Sequence, residues 1–468
     1  MPRGTGTSRP QGRHCLGGDL VPRRCRGLYA TRRSGGREER STYSSGPHSS
    51  PPAPLTVPRG SGILRVGGGS APLAGRCAEA HGPPMAPGSS VRPVIYLDHA
   101  ATSWPKPDAV RREMVRLFDE LAANPGRSGH RASLEAARVI FDARTRLARL
   151  LGVADPANLV FTRGATEGLN LVLKGFLRAG DRVGVSPLEH NSVMRPLSRL
   201  ARERGIRVET LPADSWGRVI VEAAARFAGR YRLVAVAHAS NVNGVVQDVA
   251  ALARALPGTA ILSDAAQSAG VLPVHVANEG ISFLACSAHK GLLGPTGVGA
   301  CYISPEHEVA PLLEGGTGSQ SESTEHPAFR PDCYEAGTPN LHGIAGLRGG
   351  LEHLEAHGLL GGHKRPLVQQ LLEGLAGIPG VRVCSPADGS ALVASFCVEG
   401  LPPDRVAAAL EAEHGILCRP GLHCAPAAHR HLGTLPGGTV RLAPGFGNTA
   451  DEMELVIRSV RAVVGRRG

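Results

Sequence analysis

Two runs, Asp264-Ala265-Ala266-Gln267 and Ser287-Ala288-His289-Lys290-Gly291, each close an apolar strand-like stretch and set Asp264 and Lys290 26 positions apart. The first supplies a carboxylate and the second an amine. An amine can form a Schiff base with an aldehyde, and a carboxylate beside a pyridine nitrogen keeps that nitrogen protonated, so that the ring withdraws electrons. Lys290 and Asp264 fit those two needs and suggest a site for pyridoxal 5'-phosphate. Only four lysines occur, at 106, 174, 290 and 364, so one in a glycine-flanked turn after a buried strand is less casual than most. A solvated surface lysine is the competing reading for Lys290 taken alone.

Other segments carry the same kind of double reading. Gly164-Ala165-Thr166-Glu167-Gly168 places small residues and a hydroxyl at a helix start, where free N–H groups and the dipole favour a phosphate, although an ordinary cap looks the same. Ser287 and His289 could add phosphate donors. His190 follows a strand and could lie on a cofactor ring or move protons, or be plain polar surface. In Cys418-Arg419-Pro420-Gly421-Leu422-His423-Cys424-Ala425-Pro426 the Gly and Pro predict a loop. Positive charge from Arg419 and His423 would push the Cys424 thiol toward reactivity, making it a candidate nucleophile beside the alternative of a structural cysteine. Zinc is a third reading for Cys418, His423, Cys424, His429 and His431, disfavoured because adjacent His and Cys do not readily share one tetrahedral ion and no CxxC spacing is present. Arg441 sits in an otherwise apolar strand, where it needs an anion: a substrate carboxylate or a structural partner.

The elements that must position these residues alternate from residue 94 onward. Strands are predicted at 159–162, 182–186, 206–211, 233–238, 260–263, 283–287 and 299–303, with helices between them, an α/β pattern around a mostly parallel sheet. Ligands of such sheets bind at the carboxyl ends of strands. Thr166, His190, Asn241, Asp264, Gln267 and Lys290 each come just after a strand. After about Gly350 the pattern shifts to two helices, strands at 381–384 and 392–398, a helix at 404–414, a strand at 439–443 and a helix at 450–464, a smaller α+β domain. The expected organisation is a tail over 1–92, a cofactor-binding domain over 93–350 whose first residues pack on the small domain, and the small domain over 351–468.

Composition narrows the class. The formal charge of +12 is concentrated in residues 1–92, which hold 14 arginines against four acids, so the remainder carries only +2. That distribution gives no support to a nucleic-acid enzyme, although the Arg-rich tail leaves a nucleic-acid module as a rival hypothesis. The tail, dense in Arg, Gly, Pro and Ser, cannot bury enough apolar area to offset its ordering entropy, and is read as disordered or as an over-extended reading frame with the working start near Met85. No apolar run approaches the roughly 18 residues that span a bilayer. Ten cysteines without regular spacing are not a disulfide framework, and a reducing compartment, the cytoplasm, is expected.

Taken in order, Tyr96-Leu97-Asp98-His99-Ala100-Ala101-Thr102, Arg163 to Gly168, Glu189-His190-Asn191, Ser240 to Gly244, Asp264 to Gln267, Ser287 to Lys290 and Glu335 to Pro339 resemble the class V aminotransferase-fold enzymes. Arg419-Pro420-Gly421-Leu422-His423-Cys424-Ala425 narrows the resemblance to cysteine desulfurases of the SUF and selenocysteine-lyase type. It implies the fold type I of pyridoxal phosphate enzymes, a mostly parallel seven-stranded sheet with a smaller C-terminal α+β domain. It also implies Lys290 as the Schiff-base lysine, Asp264 on the pyridinium nitrogen, Gln267 and Asn241 near the ring oxygen, and His190 stacked on the ring. Ala165, Thr166, Ser287 and His289 would hold the phosphate, joined by Thr338 from the neighbouring subunit of a homodimer. Arg441, with Asn241 and Ala100, would hold the substrate. Cys424 would take sulfur from L-cysteine as a persulfide, releasing alanine and passing the sulfur to an acceptor or scaffold protein in iron–sulfur cluster assembly. A selenocysteine lyase, an epimerase of the same fold and a sulfur-relay partner of weak turnover are the alternatives. His99 stands where relatives usually carry Asn or Ser.

Overall fold

The computed structural model describes residues 94–121, 123–125 and 128–466, so the tail read over 1–92 lies outside the described residues. In chain order the strands are β1 (Ile95–Tyr96), β2 (Leu159–Thr162), β3 (Arg182–Val185), β4 (Arg207–Thr210), β5 (Leu233–Ala237), β6 (Ala260–Asp264), β7 (Phe283–Ser287), β8 (Gly299–Ile303), β9 (Val381–Val383), β10 (Ala394–Val398), β11 (Ile416–Leu417), β12 (Arg419–Gly421) and β13 (Thr439–Leu442). The α-helices are α1 (Asp108–Glu120), α2 (Arg131–Leu150), α3 (Ala165–Phe176), α4 (Asn191–Arg204), α5 (Val221–Ala224), α6 (Val249–Ala255), α7 (Leu341–His357), α8 (Gly361–Ala376), α9 (Pro403–His414), α10 (Pro426–His431) and α11 (Ala450–Gly465).

Seven strands form one sheet in the order β2-β8-β7-β6-β5-β3-β4. Strands β7, β6, β5, β3 and β4 pair in parallel, and β8 runs antiparallel to both of its neighbours. Every residue of β5, β6 and β7 is buried. Successive side chains feed opposite faces: Val234, Val236, Ile261 and Leu284 enter one apolar cluster, and Leu233, Ala235, Leu262 and Phe283 the other. A sheet covered on both faces explains why these strands read as unbroken apolar runs. It also leaves the carboxyl edge as the place where polar side chains can meet without breaking the core.

A second sheet of four antiparallel strands, β12-β13-β10-β9, shares an apolar cluster with α8, α9 and α11, including Leu371, Phe396, Leu410, Val440 and Val456. Ile95 and Leu97 enter this cluster because β1 pairs in parallel with β11. Two expectations are corrected here. Residues 419–421, expected as loop, form edge strand β12 against β13, with Arg419 opposite Arg441. An edge position tolerates Pro420, whose missing N–H no neighbour needs. The strand expected from 392 starts at Ala394, since the Leu392 N–H is donated instead to the Gly244 carbonyl at 3.1 Å. Among the described residues no helix is long and apolar enough to cross a membrane.

Candidate active site

The carboxyl edges of β2, β5, β6 and β7 converge on a cavity of about 220 Å³ lined by Ala165, Thr166, His190, Asn241, Asp264, Gln267, Ser287, His289 and Lys290, with Leu169, Ser192, Ala237, Ala239 and Ala266 completing it. Parallel strands put these side chains together although the sequence scatters them. Asp264 ends β6, only 6% exposed, and its Oδ1 accepts from the Ala266 N–H at 3.0 Å. Lys290 sits three residues beyond β7. Burial, reinforced by Arg441 and Arg419, pushes its amine below the ordinary lysine range, while the Asp264 carboxylate opposes the shift. A depressed amine spends more time neutral, the form that attacks an aldehyde.

At the other end of the cavity α3 begins. Its N-cap, Gly164, has φ +154°, and the Ala165 N–H is donated to Ser287 Oγ at 2.9 Å. A Cβ on Gly164 would approach that Oγ to 3.5 Å. Thr166 Oγ1 and Ser192 Oγ lie 2.8 Å apart. His190 caps α4: its Nδ1 accepts from the Ser192 N–H at 3.1 Å, so the neutral ring carries its proton on Nε2. Burial is the main reason its pKa falls below the ordinary histidine value. Gln267 donates to the Ala100 carbonyl at 2.8 Å, which brings the 98–102 segment to the cavity. The His289 carbonyl is held by Ser103 N–H (2.9 Å) and by Lys106 Nζ (3.0 Å), fixing the backbone just before Lys290.

Arg441 does not line the cavity. It is 1% exposed, pairs through Nη2 with Asp98 Oδ1 at 2.6 Å and donates through Nη1 to the Asn241 carbonyl at 2.8 Å, leaving Nε buried without a partner. The anion that sequence reasoning sought for Arg441 is thus at least in part Asp98, a residue it had quoted only within a motif. Thr338 is exposed and also lies apart from the cavity, in a turn anchored by Glu335, which accepts from Arg144 and from the Phe161 N–H at 2.6 Å each.

Cys424 is exposed and borders a second groove lined by Thr166, His190 and Ser192, side chains that also line the cavity. Arg419 Nη2 donates to its Sγ at 3.9 Å, and its carbonyl accepts from the Asn191 N–H at 2.9 Å. The Asn241 amide donates to the His423 carbonyl at 2.7 Å, so the loop of the second sheet is stitched to the cavity rim. One expectation fails: His423 lends the thiol no charge, because burial pushes its pKa down to about 3 and its Nε2 is turned to the Arg419 carbonyl at 3.1 Å. Cys418, His429 and His431 are directed elsewhere, into the second core, onto Thr434 and onto the Asp214 carbonyl. Sequence reasoning gave no role to Ser192, Asp98 or Thr434. A hydroxyl two residues past a capping histidine was the one available signal for Ser192.

These residues fit a pyridine aldehyde phosphate. A buried carboxylate and a half-buried lysine line one cavity, alanines form its apolar walls, a glycine-started helix and hydroxyls stand at one end, and His289 Nδ1 is a buried polar atom without a partner.

Comparison with known proteins agrees with that geometry. The aminotransferase class-V family model matches residues 95–456. A probable cysteine desulfurase of Methanothermobacter thermautotrophicus is 35% identical over 389 residues, covering 80% of this chain and 96% of the relative. Another from Pseudomonas putida is 36% identical over 375 residues, 77% of this chain and 91% of that protein. The apo structure of a cysteine desulfurase from Thermococcus onnurineus NA1 superposes with a TM-score of 0.75 at 35% identity, covering 80% of this chain and 95% of that one. The Escherichia coli cysteine desulfurase CsdA, in an S-sulfonic acid form, gives 0.71 at 30% identity, over 80% of this chain and 95% of that one. With nearly all the described residues inside the match and the lysine, the carboxylate and the helix start brought to one cavity, the chain belongs to the class-V aminotransferase family.

Proposed function

We propose that this chain is a pyridoxal phosphate-dependent cysteine desulfurase that converts L-cysteine to L-alanine and leaves the sulfur on Cys424 as a persulfide. The observation that carries this reading is the meeting of two regions: Lys290 and Asp264 line one cavity, and Cys424 borders a groove that shares His190, Thr166 and Ser192 with it. Bound at this site, the cofactor supplies an electron sink for the substrate's carbon atoms. Lys290 holds it and accepts or returns a proton at Nζ. Asp264 supplies the carboxylate for the ring nitrogen, and Gln267, Asn241 and His190 orient the ring, with His190 keeping its proton at Nε2. Ala165 N–H, Thr166, Ser287 and His289 serve the phosphate, with Thr338 contributed across a homodimer. Sulfur moves when the Cys424 sulfur attacks it: the C–S bond breaks, an S–S bond forms, and the carbon keeps the electron pair and takes a proton. The exposed thiol then offers the sulfur to an acceptor protein, in the cytoplasm and in the service of iron–sulfur cluster assembly. Ala100, Asn241 and Arg441 are read as the substrate-holding group, with the substrate carboxylate sharing or replacing Asp98 on the guanidinium. Two apolar clusters support a larger cofactor-binding unit and a smaller C-terminal one, proposed over 93–350 and 351–468, although Leu351, Leu354, Leu360 and Leu392 pack in the larger cluster and α7 runs across the boundary.

The test is alanine formation from cysteine with a reductant, in the wild type beside Cys424→Ala, each titrated with pyridoxal phosphate. The wild type should turn yellow and form alanine, and the variant should keep the colour and lose the product. A protein that stays colourless with added cofactor, or a variant with undiminished turnover, removes the reading.

A further inference from the structure

The Cys424 loop is held in a conformation that its residues do not favour. His423 and Cys424 have φ of +49° and +58°, the left-handed region that side chains with a Cβ enter at a cost of about 1 kcal/mol each. Such a conformation persists only where its surroundings over-determine it. Asn241 and Asn191 grip the two carbonyls from the cavity side. The loop also holds a buried chain of three polar side chains that no step proposed above uses.

His423 Nδ1 and His429 Nε2 are 3.4 Å apart, His429 Nδ1 and Thr434 Oγ1 2.7 Å, and His423 Nε2 lies 3.1 Å from the Arg419 carbonyl. His423 is 3% exposed, His429 0% and Thr434 5%. The far end of the chain sets the tautomer of His423. A carbonyl only accepts, so His423 Nε2 carries hydrogen. Burial keeps both rings neutral, pushing His423 to about 3 and His429 to about 4, so His423 Nδ1 is an acceptor with His429 Nε2 turned toward it, while the His429 ring also bonds the Leu422 backbone of the same loop. With Nε2 carrying the hydrogen, His429 Nδ1 is an acceptor in turn, and the Thr434 hydroxyl donates to it at 2.7 Å in preference to the His429 carbonyl at 3.4 Å.

We infer that Thr434, His429 and His423 form a one-way hydrogen-bond chain ending on the Arg419 carbonyl, and that they are positioning residues which lock the Cys424 loop and hold the Arg419 guanidinium beside the thiol. The inference rests on the reading of Cys424 as the sulfur-accepting residue. The chain is specific in direction: a side chain at 434 must donate, and one at 429 must accept at one atom and donate at the other. Removing the first donor leaves His429 Nδ1 buried and unsatisfied, which frees the ring to turn over and breaks its bond to His423.

Thr434→Val keeps the shape of threonine and removes the donor, while Thr434→Ser keeps the donor. In the cofactor-loaded enzyme, Thr434→Val should lower kcat for alanine formation about tenfold with little change in KM or in visible absorbance. In the same variant, amide hydrogen exchange over residues 419–425 should rise about tenfold, and Thr434→Ser should restore both values. If Thr434→Val does not fold, His429→Ala beside His429→Gln provides the same contrast, since the glutamine amide can accept and donate as the ring does. Wild-type exchange in the loop of Thr434→Val, or serine and valine variants that lose kcat alike, overturns the chain. Should Cys424→Ala retain sulfur mobilisation, the functional reading fails, whereas the exchange measurement still decides the loop.

Discussion

The cavity around Lys290 and the loop around Cys424 meet at the same rim but are built on opposite principles. Lys290, Asp264 and Ser287 end or come just after strands whose every residue is buried, with apolar layers on both faces, so their positions are fixed by the core of the sheet. Cys424 is exposed, comes just after an edge strand, and has a left-handed backbone whose flanking carbonyls are held by hydrogen bonds from Asn241 and Asn191. The chemistry asks for this difference. An amine must be kept out of water to stay neutral and reactive, whereas a thiol that passes its sulfur onward has to reach solvent and a partner. Rigidity is therefore concentrated at one station and access at the other.

Exchanging the two reactive groups in turn should separate these stations cleanly. Lys290→Ala is expected to abolish covalent cofactor attachment, seen as loss of the borohydride-reducible adduct in the intact mass, and to lower alanine formation by on the order of 10³-fold or more. Cys424→Ala should lower it by about 10²-fold with the absorbance spectrum unchanged. If both variants lose the chromophore, the loop is part of the cofactor cradle and the division into two stations is wrong.

Asp98 and Arg441 tie the stations together, one on the segment that reaches the cavity through Ala100 and the other on β13. Arg441 is almost wholly buried, and its only ion-pair partner among the described residues is Asp98. Asp98→Ala leaves a buried cation facing a carbonyl alone and should cost about 3 kcal/mol of unfolding free energy, read from urea denaturation. A change below about 0.5 kcal/mol would mean that water already reaches the guanidinium.

The rigid station was the more legible one in the sequence, and for a physical reason. Unbroken apolar runs such as Leu233–Ala237 and Phe283–Ser287 announce buried parallel strands, and the residues at the carboxyl ends of such strands gather at one edge, so Asp264, Lys290, His190 and Asn241 could be placed together before any coordinates. The loop resisted. Pro420 and Gly421 suggested loop where β13 recruits them as an edge strand, and His423 looked like a source of charge until burial made it neutral. Two-residue strands such as β1 and β11 carry no periodicity to read, and the Asp98–Arg441 pair joins positions too far apart in sequence for any pattern to link.

Lys364 offers the finest test of what burial contributes at the rigid station. It lies on α8, 5% exposed, and lines a small cavity shared with Lys290, His99 and Ser103, yet no hydrogen bond or ion pair reaches its amine among the described residues. Burial, with a smaller push from Arg441, takes its pKa down to about 8. Because this folded-state value is below the unfolded one near 10.5, the folded protein binds the proton less well. The cost is fully present below pH 8 and fades as pH rises toward 10.5. Lys364→Met removes the charge and keeps much of the apolar stem, so it should stabilise the protein by about 2 kcal/mol at pH 7. The gain should shrink through pH 8 to 10.5 in parallel urea titrations. Lys290 shares the burial but has Asp264 to oppose the shift, and its replacement costs the reaction. A Lys364→Met variant that is less stable at pH 7, or whose advantage is the same at pH 7 and pH 10, would show that an anion already sits on that amine and that burial alone does not set its state.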